Sequence, residues 1–273
     1  IDTNDSVGII DNFFPNAEFF TEFPRFDRFV DKLRRKSNNQ KIDYTSICSP
    51  NYLHDAHIRF GLRSDTNVIC EKPVVINPWN ISNLLDLEKE TGKKVYSILQ
   101  LRHHREIVNL KNKICSSTQK NKFDVDLTYI TSRGNWYKHS WKGNTEKSGG
   151  IACNIGIHFF DILYYIFGKL QKNNVYYYSE DKASGFLEYK NARVRWFLST
   201  NQHDLPKNIK LKRQRTYRSI MINGKELEFS DGFDDLHTES YKKILNGEGF
   251  RLHDTSTAIE TVYQIRSTKV LNQ

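Results

Sequence analysis

Two short polar segments follow apolar runs that are typical of buried β-strands. Glu71-Lys72-Pro73 comes directly after residues 67–70, and Ser49-Pro50-Asn51 comes directly after residues 44–48. In an open α/β sheet, ligands bind outside the carboxyl ends of the strands. The Lys72 ammonium can pair with an anion, or it can take part in proton transfer when burial shifts its pKa. We therefore expect both segments to border one crevice, with Lys72 as a reactive group.

A second set of candidate groups lies in the later half of the chain. Asn154, His158 and Asp161 are four and three residues apart, a spacing that predicts one shared helix face. The His158 imidazole can accept a proton near neutral pH, and the Asp161 carboxylate would fix its tautomer. Across a cleft from Lys72, His158 would serve as a base for a sugar hydroxyl. Taken alone, the same spacing fits a structural core histidine.

A third set combines aromatic and cationic side chains after a predicted strand. Arg133, Trp136, Tyr137 and Lys142 could stack a uracil and pair with a phosphate or carboxylate. A tryptophan-anchored loop packed on the sheet explains these residues equally well. Gln100 ends another strand and is expected near the crevice, but the neighbouring His103-His104 pair would point to opposite sides. We therefore expect no metal site.

The hydrophobic pattern indicates two kinds of sheet. Before residue 105, strands alternate with helices, which predicts βαβ units and a parallel sheet. The predicted strands are 43–48, 68–70 and 95–101, and the predicted helices are 26–36, 51–63 and one from Asn77, as N-cap, to Gly92. After residue 105, alternating strands and an Asn223-Gly224 hairpin predict a mainly antiparallel sheet. The fold class is therefore α/β, with a Rossmann-type domain over 1–104 and an α+β domain over 105–273.

Composition narrows the class of protein. The 273 residues carry a net charge of +9, which suits an acidic polymer or a small polyanionic substrate. The dense basic segment 207–218 reads as a solvated loop, and no nucleic-acid recognition helix or aromatic platform accompanies it. The four cysteines lack metal-type spacing, which predicts free thiols in a reducing cytoplasm. The sequence has no run of eighteen apolar residues, so we expect no transmembrane helix.

The ordered set of motifs resembles the Gfo/Idh/MocA oxidoreductases. These motifs are S-P-N-x-x-H at 49–54, E-K-P at 71–73, a Gly-Gly pair at 149–150 and G-x-H-x-x-D at 156–161. The segments 46–54, 69–73, 100–102, 129–137 and 154–156 are similar to the bacterial sugar-nucleotide 3-dehydrogenases of that family. This resemblance implies NAD-dependent oxidation of the C3 hydroxyl of a UDP-N-acetyl-hexosaminuronic acid to the 3-keto sugar.

The resemblance also implies roles for individual residues. Lys72, His158 and Asn154 would be catalytic, with His158 as the base and Lys72 orienting and polarising the hydroxyl. The residues expected to bind NAD are Asp2, Ser49, Asn51, His54, Glu71, Lys72 and Gln100. Those expected to bind the UDP-sugar are Lys72, Arg133, Trp136, Tyr137, Lys142, Asn154 and His158.

The family setting implies a cytoplasmic homotetramer of lipopolysaccharide O-antigen biosynthesis, with no metal, nucleic-acid or membrane partner. Its 3-keto product would pass to a PLP-dependent aminotransferase. The family's glycine-rich turn is absent, so we expect that roughly thirty residues carrying the first strand and that turn precede Ile1. One alternative is a dehydrogenase of the same family acting on a free sugar or inositol. Another is a basic nucleic-acid-binding or non-catalytic fragment.

Overall fold

Three parallel strands form a small sheet in the order β1–β2–β3. They are β1 Tyr44–Ile47, β2 Asn67–Cys70 and β3 Val95–Ser97. The computed structural model describes residues 10, 12–36, 41–118, 121–227, 232–268 and 270. The helices of this part are α1 Phe23–Arg34, α2 His54–Arg63 and α3 Trp79–Thr91. The alternation of strand and helix, and the parallel pairing, confirm the prediction for this half.

Several predicted boundaries in this half are displaced. The helix predicted from 51 begins as a 3₁₀ turn, Asn51–Leu53, and the strand predicted to reach 101 ends at Ser97. Gly92 ends α3 in the left-handed region, as expected, with φ +69°. The Asn77 cap is wrong: Pro78 occupies the N-cap, and the Asn77 Oδ1 atom accepts a hydrogen bond from Arg266 Nη2 at 2.7 Å. The Asn77 side chain therefore binds Arg266, 189 positions away, instead of capping α3.

Within the described residues, the second sheet has six strands in the order β5–β6–β7–β4–β8–β9. They are β4 Phe123–Thr131, β5 Leu170–Tyr178, β6 Lys182–Tyr189, β7 Ala192–Ser199, β8 Thr216–Ile222 and β9 Lys225–Glu226. Only β4 and β7 pair in parallel among these strands, so the sheet is mainly antiparallel. The β8–β9 turn has φ +48° at Asn223 and +76° at Gly224, which confirms the predicted hairpin.

Helices cover one side of this sheet and the junction between the halves. They are α4 Arg105–Cys115, α5 Asn135–His139, α6 Thr145–Ser148, α7 Ile157–Phe167, α8 Lys207–Leu211, α9 Leu236–Leu245 and α10 Leu252–Ser267. A π-helical segment, Ala152–Gly156, leads into α7. The stretch Thr145–Phe167 is long and apolar enough to cross a membrane, but 72% of its apolar window is buried inside the protein, as in a core helix.

The carboxyl-terminal helices pack against the small sheet as well as the large one. The amide of Ser97, at the end of β3, donates to the carbonyl of Phe250 at 2.9 Å, and Tyr96 forms an antiparallel bridge with Arg251. The Tyr241 hydroxyl on α9 lies 2.7 Å from the Ser46 hydroxyl on β1. The last third of the chain therefore helps to build the crevice at the first sheet, while the division at residue 104 stays a prediction.

Candidate active site

Lys72 lies just beyond β2, at the carboxyl edge of the parallel sheet, and its peptide bond to Pro73 is cis. Its Nζ atom donates to the carbonyl oxygen of Asn154 at 3.1 Å. Burial lowers the pKa of Lys72, an effect that neighbouring Glu71 opposes. The ammonium thus donates to a neutral carbonyl oxygen and has no ion-pair partner among the described residues, which leaves its charge available to a ligand oxygen.

Asn154 projects from the π-helical segment and joins Lys72 to the aromatic set. Its Nδ2 atom donates to the Tyr137 hydroxyl at 2.6 Å. The Gly149-Gly150 pair that precedes this segment has φ +81° and +74°, a conformation that favours glycine. A Cβ atom on Gly150 would also lie 2.5 Å from the Tyr178 hydroxyl. The two glycines therefore set the entry of the chain into the segment that carries Asn154.

His158 lies on the first turn of α7, four residues after Asn154. Burial holds the pKa of His158 well below its usual value, and the positive charges of Lys72, His237 and Arg218 lower it further. An imidazole in this setting is neutral at physiological pH, which is the form that accepts a proton. The structure thus brings Lys72, Asn154 and His158 close together, where the end of β2 meets the segment that leads into α7.

Asp161 does not orient His158, so that part of the prediction is wrong. Both of its oxygens accept hydrogen bonds from Arg102, with Nε to Oδ2 at 2.9 Å and Nη2 to Oδ1 at 2.7 Å. Both side chains are only 3% exposed. Arg102 Nη2 also donates to the Asp254 carbonyl oxygen at 2.7 Å. Arg102 is 59 positions away from Asp161, so the helical spacing of the sequence could not predict this pair.

The predicted NAD residues border the same edge of the sheet, but their side chains differ in what they contact. Both ring nitrogens of His54 lie 2.7 Å from backbone carbonyls, those of Pro73 and Ser49, and the residue is 1% exposed. Asn51 Nδ2 donates to the Ser148 carbonyl oxygen at 2.9 Å. His54 therefore ties the two polar segments together, and Asn51 ties the first of them to α6.

Other predicted NAD residues keep polar atoms that a ligand can use. The Ser49 hydroxyl lies 2.9 Å from His57 Nδ1, and Glu71 lies 3.3 Å from His237 Nε2. Gln100 Oε1 is buried and has no hydrogen-bond partner among the described residues. A buried amide oxygen costs stability unless a donor satisfies it, and the carboxamide of a nicotinamide is such a donor. Asp2 lies outside the described residues.

The predicted substrate residues cluster on the second-domain side of the crevice. The Arg133 guanidinium carbon lies 5.9 Å from the centre of the Tyr137 ring, and Lys142 Nζ lies 5.7 Å from that of Trp136. Trp136 is 55% exposed, whereas Tyr137 is 6% exposed. The exposed Trp136 ring can therefore stack on a ligand. The buried Tyr137 instead accepts a hydrogen bond from Asn154 through its hydroxyl group.

Sequence reasoning missed two basic residues, Arg218 and His237, that lower the pKa of His158. Arg218 lies on β8, with its guanidinium carbon 4.5 Å from the centre of the Phe233 ring, and His237 lies on α9 beside Glu71. Arg218 ends the basic segment that was expected to be a solvated loop, and no local motif marks His237. In the described part of the chain, no group of three or more His, Cys, Asp or Glu side chains could hold a metal ion.

Two family models cover most of the chain. One is described as the oxidoreductase family NAD-binding Rossmann fold and matches residues 2–99. The other is described as the oxidoreductase family C-terminal alpha/beta domain and matches residues 121–269. The chain belongs to the Gfo/Idh/MocA oxidoreductase family. The predicted family, the fold class, the oxidoreductase class and NAD as cofactor are confirmed.

Solved structures of this family superpose on the whole chain. The WlbA (WbpB) dehydrogenase from Thermus thermophilus, solved with NAD and UDP-GlcNAcA, is 44% identical with a TM-score of 0.94 and covers 100% of this chain and 87% of its own. Its complex with NAD and alpha-ketoglutarate is 45% identical with the same TM-score and coverage. The WlbA dehydrogenase from Bordetella pertussis is 16% identical with a TM-score of 0.75 over 97% of this chain and 86% of its own, which shows the fold alone.

Curated relatives are more distant. D-glucoside 3-dehydrogenase from Escherichia coli is 25% identical over 57% of this chain and 51% of its own length. Glucose-6-phosphate 3-dehydrogenase from Bacillus subtilis is 24% identical over 59% of this chain and 46% of its own length. The chain thus spans about half the length of the curated relatives it matches.

Proposed function

We propose that this protein oxidises the C3 hydroxyl of a UDP-N-acetyl-hexosaminuronic acid to the 3-keto sugar, with NAD as the oxidant. The observation that carries the proposal is the placement of Lys72, Asn154 and His158 close together beyond the carboxyl end of β2, in the NAD-binding half of the chain. Similarity over the full chain to a dehydrogenase solved with NAD and UDP-GlcNAcA supports this substrate class.

In the proposed reaction, His158 accepts the proton of the C3 hydroxyl. Its lowered pKa keeps the imidazole neutral and ready for that step. Lys72, held by the Asn154 carbonyl oxygen, directs its charge at the same hydroxyl oxygen and stabilises the negative charge that develops there. Bound NAD supplies the acceptor for the hydride that leaves C3.

The cofactor would lie along the carboxyl edge of β1, β2 and β3. We propose that the cofactor contacts Ser49, Asn51, Glu71 and Gln100, and that Asp2 binds its adenosine ribose. We further propose that His54, which contacts the Pro73 and Ser49 carbonyls, holds the two polar segments in place beside it. The unpartnered Gln100 oxygen is the feature that fits a nicotinamide carboxamide best. Arg133, Trp136 and Lys142 would bind the nucleotide-sugar, with Tyr137 positioning Asn154.

The proposed product suggests the setting of the enzyme. A 3-keto sugar is the substrate that a PLP-dependent aminotransferase requires, so we propose that such an enzyme consumes it in lipopolysaccharide O-antigen biosynthesis. The resemblance further supports a cytoplasmic homotetramer. The second candidate function is that of a free-sugar dehydrogenase. It is supported by the curated relatives whose names give a glucoside and glucose 6-phosphate as substrates.

One assay separates these functions. The protein is incubated with NAD and UDP-GlcNAcA, and in parallel with methyl glucoside and with myo-inositol, while NADH formation is followed by absorbance. Reduction of the product with borodeuteride should place deuterium at C3, which NMR detects. NADH formation with the free sugars but not with the UDP-sugar would establish the second candidate, and no NADH with any of them would rule out both.

A further inference from the structure

A cationic cavity of about 480 Å³ opens where β4 ends and the loop that carries Arg133 begins. Four of its ten lining residues are Lys or Arg, and none is Asp or Glu. The charged and polar side chains that define this cationic cavity are Arg133, His203, Lys210, Arg213, Gln214 and Arg215. Most of them belong to the basic segment 207–218, to which the sequence assigned no role. A pocket of one charge sign attracts ligands of the other sign.

Backbone hydrogen bonds fix the walls of the cationic cavity. The Ser132 amide donates to the Arg215 carbonyl oxygen at 2.7 Å, and the Arg133 amide donates to the Thr200 carbonyl oxygen at 3.0 Å. The end of β4 is therefore joined to the basic segment through Arg215 and, through Thr200, to the segment that contributes Gln202, His203 and Leu205. Since main-chain groups make these contacts, the side chains of Arg133 and Arg215 can point to a ligand without disturbing them.

Neighbouring acidic groups are already occupied by other partners. The Asp204 carboxylate accepts from Lys182 Nζ at 2.9 Å and from the Ser199 hydroxyl at 2.6 Å. Lys210 Nζ donates to the His203 carbonyl oxygen at 2.8 Å, which leaves its charge unbalanced. Among the residues that line the cavity, Arg133, Arg213 and Arg215 therefore have no carboxylate to balance their charges. The cavity thus holds excess positive charge.

Arg133 connects the cationic cavity to the catalytic groups. It lines the cavity, and its guanidinium carbon lies 5.9 Å from the centre of the Tyr137 ring. The Tyr137 hydroxyl accepts a hydrogen bond from Asn154, whose carbonyl oxygen holds Lys72. In a nucleotide-sugar, C3 and the phosphate-bearing C1 belong to the same ring, so the phosphates must lie close to the reacting hydroxyl. An anion site adjoining Lys72 on the Arg133 side meets that requirement.

We propose that the cationic cavity binds the diphosphate of a nucleotide-linked substrate, with Arg213 and Arg215 as its principal contacts. The proposal rests on the proposed function, because it assigns a further subsite to the same substrate. Arginine suits this role since its planar guanidinium donates two parallel hydrogen bonds to a phosphate. The backbone of Arg213 has φ +55°, a conformation that residues other than glycine rarely adopt.

The test measures the binding of UDP and of uridine by titration calorimetry. Arg213→Gln and Arg215→Gln should each weaken UDP binding about tenfold, as expected when a hydrogen bond to a charged group is lost. Uridine binding should stay unchanged, since uridine lacks phosphate. The matched control is Lys212→Gln, which removes an exposed cation of the same segment that does not line the cavity.

Arg213→Gly separates binding from folding. Glycine accepts the positive φ, so this variant should unfold at no lower temperature than the natural protein while binding UDP about tenfold more weakly. Arg215→Lys keeps the charge and should recover part of the affinity. Unchanged UDP affinity in the double variant Arg213→Gln, Arg215→Gln would overturn the proposal, as would an equal loss in Lys212→Gln.

Turnover distinguishes the failure of this subsite from the failure of the proposed function. If the natural protein oxidises UDP-GlcNAcA and the arginine variants retain its KM, the subsite is wrong and the function stands. If the natural protein binds UDP through Arg213 and Arg215 but produces no NADH from UDP-GlcNAcA, the subsite stands and the proposed function is wrong.

Discussion

At the scale of single residues, burial and nearby charge give each catalytic candidate its protonation state. Burial disfavours the charged form of both Lys72 and His158, and Lys72 lowers the pKa of His158 further. A neutral base beside a cation matches the needs of hydroxyl oxidation, in which a proton leaves and negative charge develops on oxygen.

The first prediction concerns the catalytic pair. Lys72→Ala and His158→Ala should each lower the kcat for NADH formation from UDP-GlcNAcA by about 10²–10⁴-fold, because each removes a group that acts on the hydroxyl. Circular dichroism should show an intact fold. Turnover close to that of the natural protein in both variants would contradict the assignment of these residues.

The second prediction concerns pH. Activity that depends on neutral His158 is lost as pH falls through its pKa, so the acid limb of kcat/KM should lie below pH 6.5, the ordinary value for histidine. Arg218→Gln removes a charge that lowers this pKa and should therefore move the acid limb to higher pH. Arg195→Gln, which removes an arginine paired with Asp126 on the exposed sheet surface, is the control and should leave the profile in place.

The lowered pKa of His158 also makes the free energy of unfolding depend on pH, in a defined direction. The pKa of His158 is lower in the folded state than in the unfolded chain, so the unfolded state binds more protons at acid pH. This contribution is fully present above pH 6.5 and is lost as pH falls below it.

At the scale of elements, one buried ion pair joins the two halves of the site. Arg102 follows β3 in the first half, and Asp161 lies on α7, the helix that carries His158. The pair therefore links the part of the sheet expected to hold the cofactor to the helix expected to hold the base. Its bidentate hydrogen bonds offset the cost of removing both charges from solvent.

The third prediction concerns this pair. Asp161→Ala leaves the Arg102 charge buried and should lower the free energy of unfolding by about 3–5 kcal/mol, measured by urea denaturation. The exposed Arg195–Asp126 pair is the comparison, and Asp126→Ala should cost about 0–1 kcal/mol. A loss in Asp161→Ala as small as that of the comparison would show that the buried pair does not hold α7 in place.

At the scale of the whole molecule, net charge and topology act together. The net charge of +9 favours encounter with a substrate that carries a diphosphate and a carboxylate. The return of the chain around α9 and α10 to the first sheet brings His237 to Glu71 and pairs Arg251 with Tyr96 of β3.

The fourth prediction concerns ionic strength. Because salt screens charges beyond about 8 Å at 0.15 M, kcat/KM for UDP-GlcNAcA should fall several-fold between low and physiological salt. Methyl glucoside, if it is oxidised at all, is neutral and should show no such fall. Equal salt dependence for both substrates would indicate an effect on the protein rather than on encounter with an anion.

The sequence alone determined the two sheet types, most strands and helices, the Asn223-Gly224 hairpin and the set of motifs that resembles the family. These follow from hydrophobic periodicity, turn chemistry and short ordered segments, all of which are local along the chain. Lys72, Asn154 and His158 could be proposed as site residues in this way because each lies in such a segment.

Only the tertiary structure decided which side chains meet. Asp161 pairs with Arg102 rather than with His158, Asn77 binds Arg266 rather than capping its helix, and Arg218 and His237 reach the site from distant elements. These contacts join residues that are far apart along the chain. Charge and hydrogen bonding act through space, so spacing along the sequence cannot rank a distant partner against a near one.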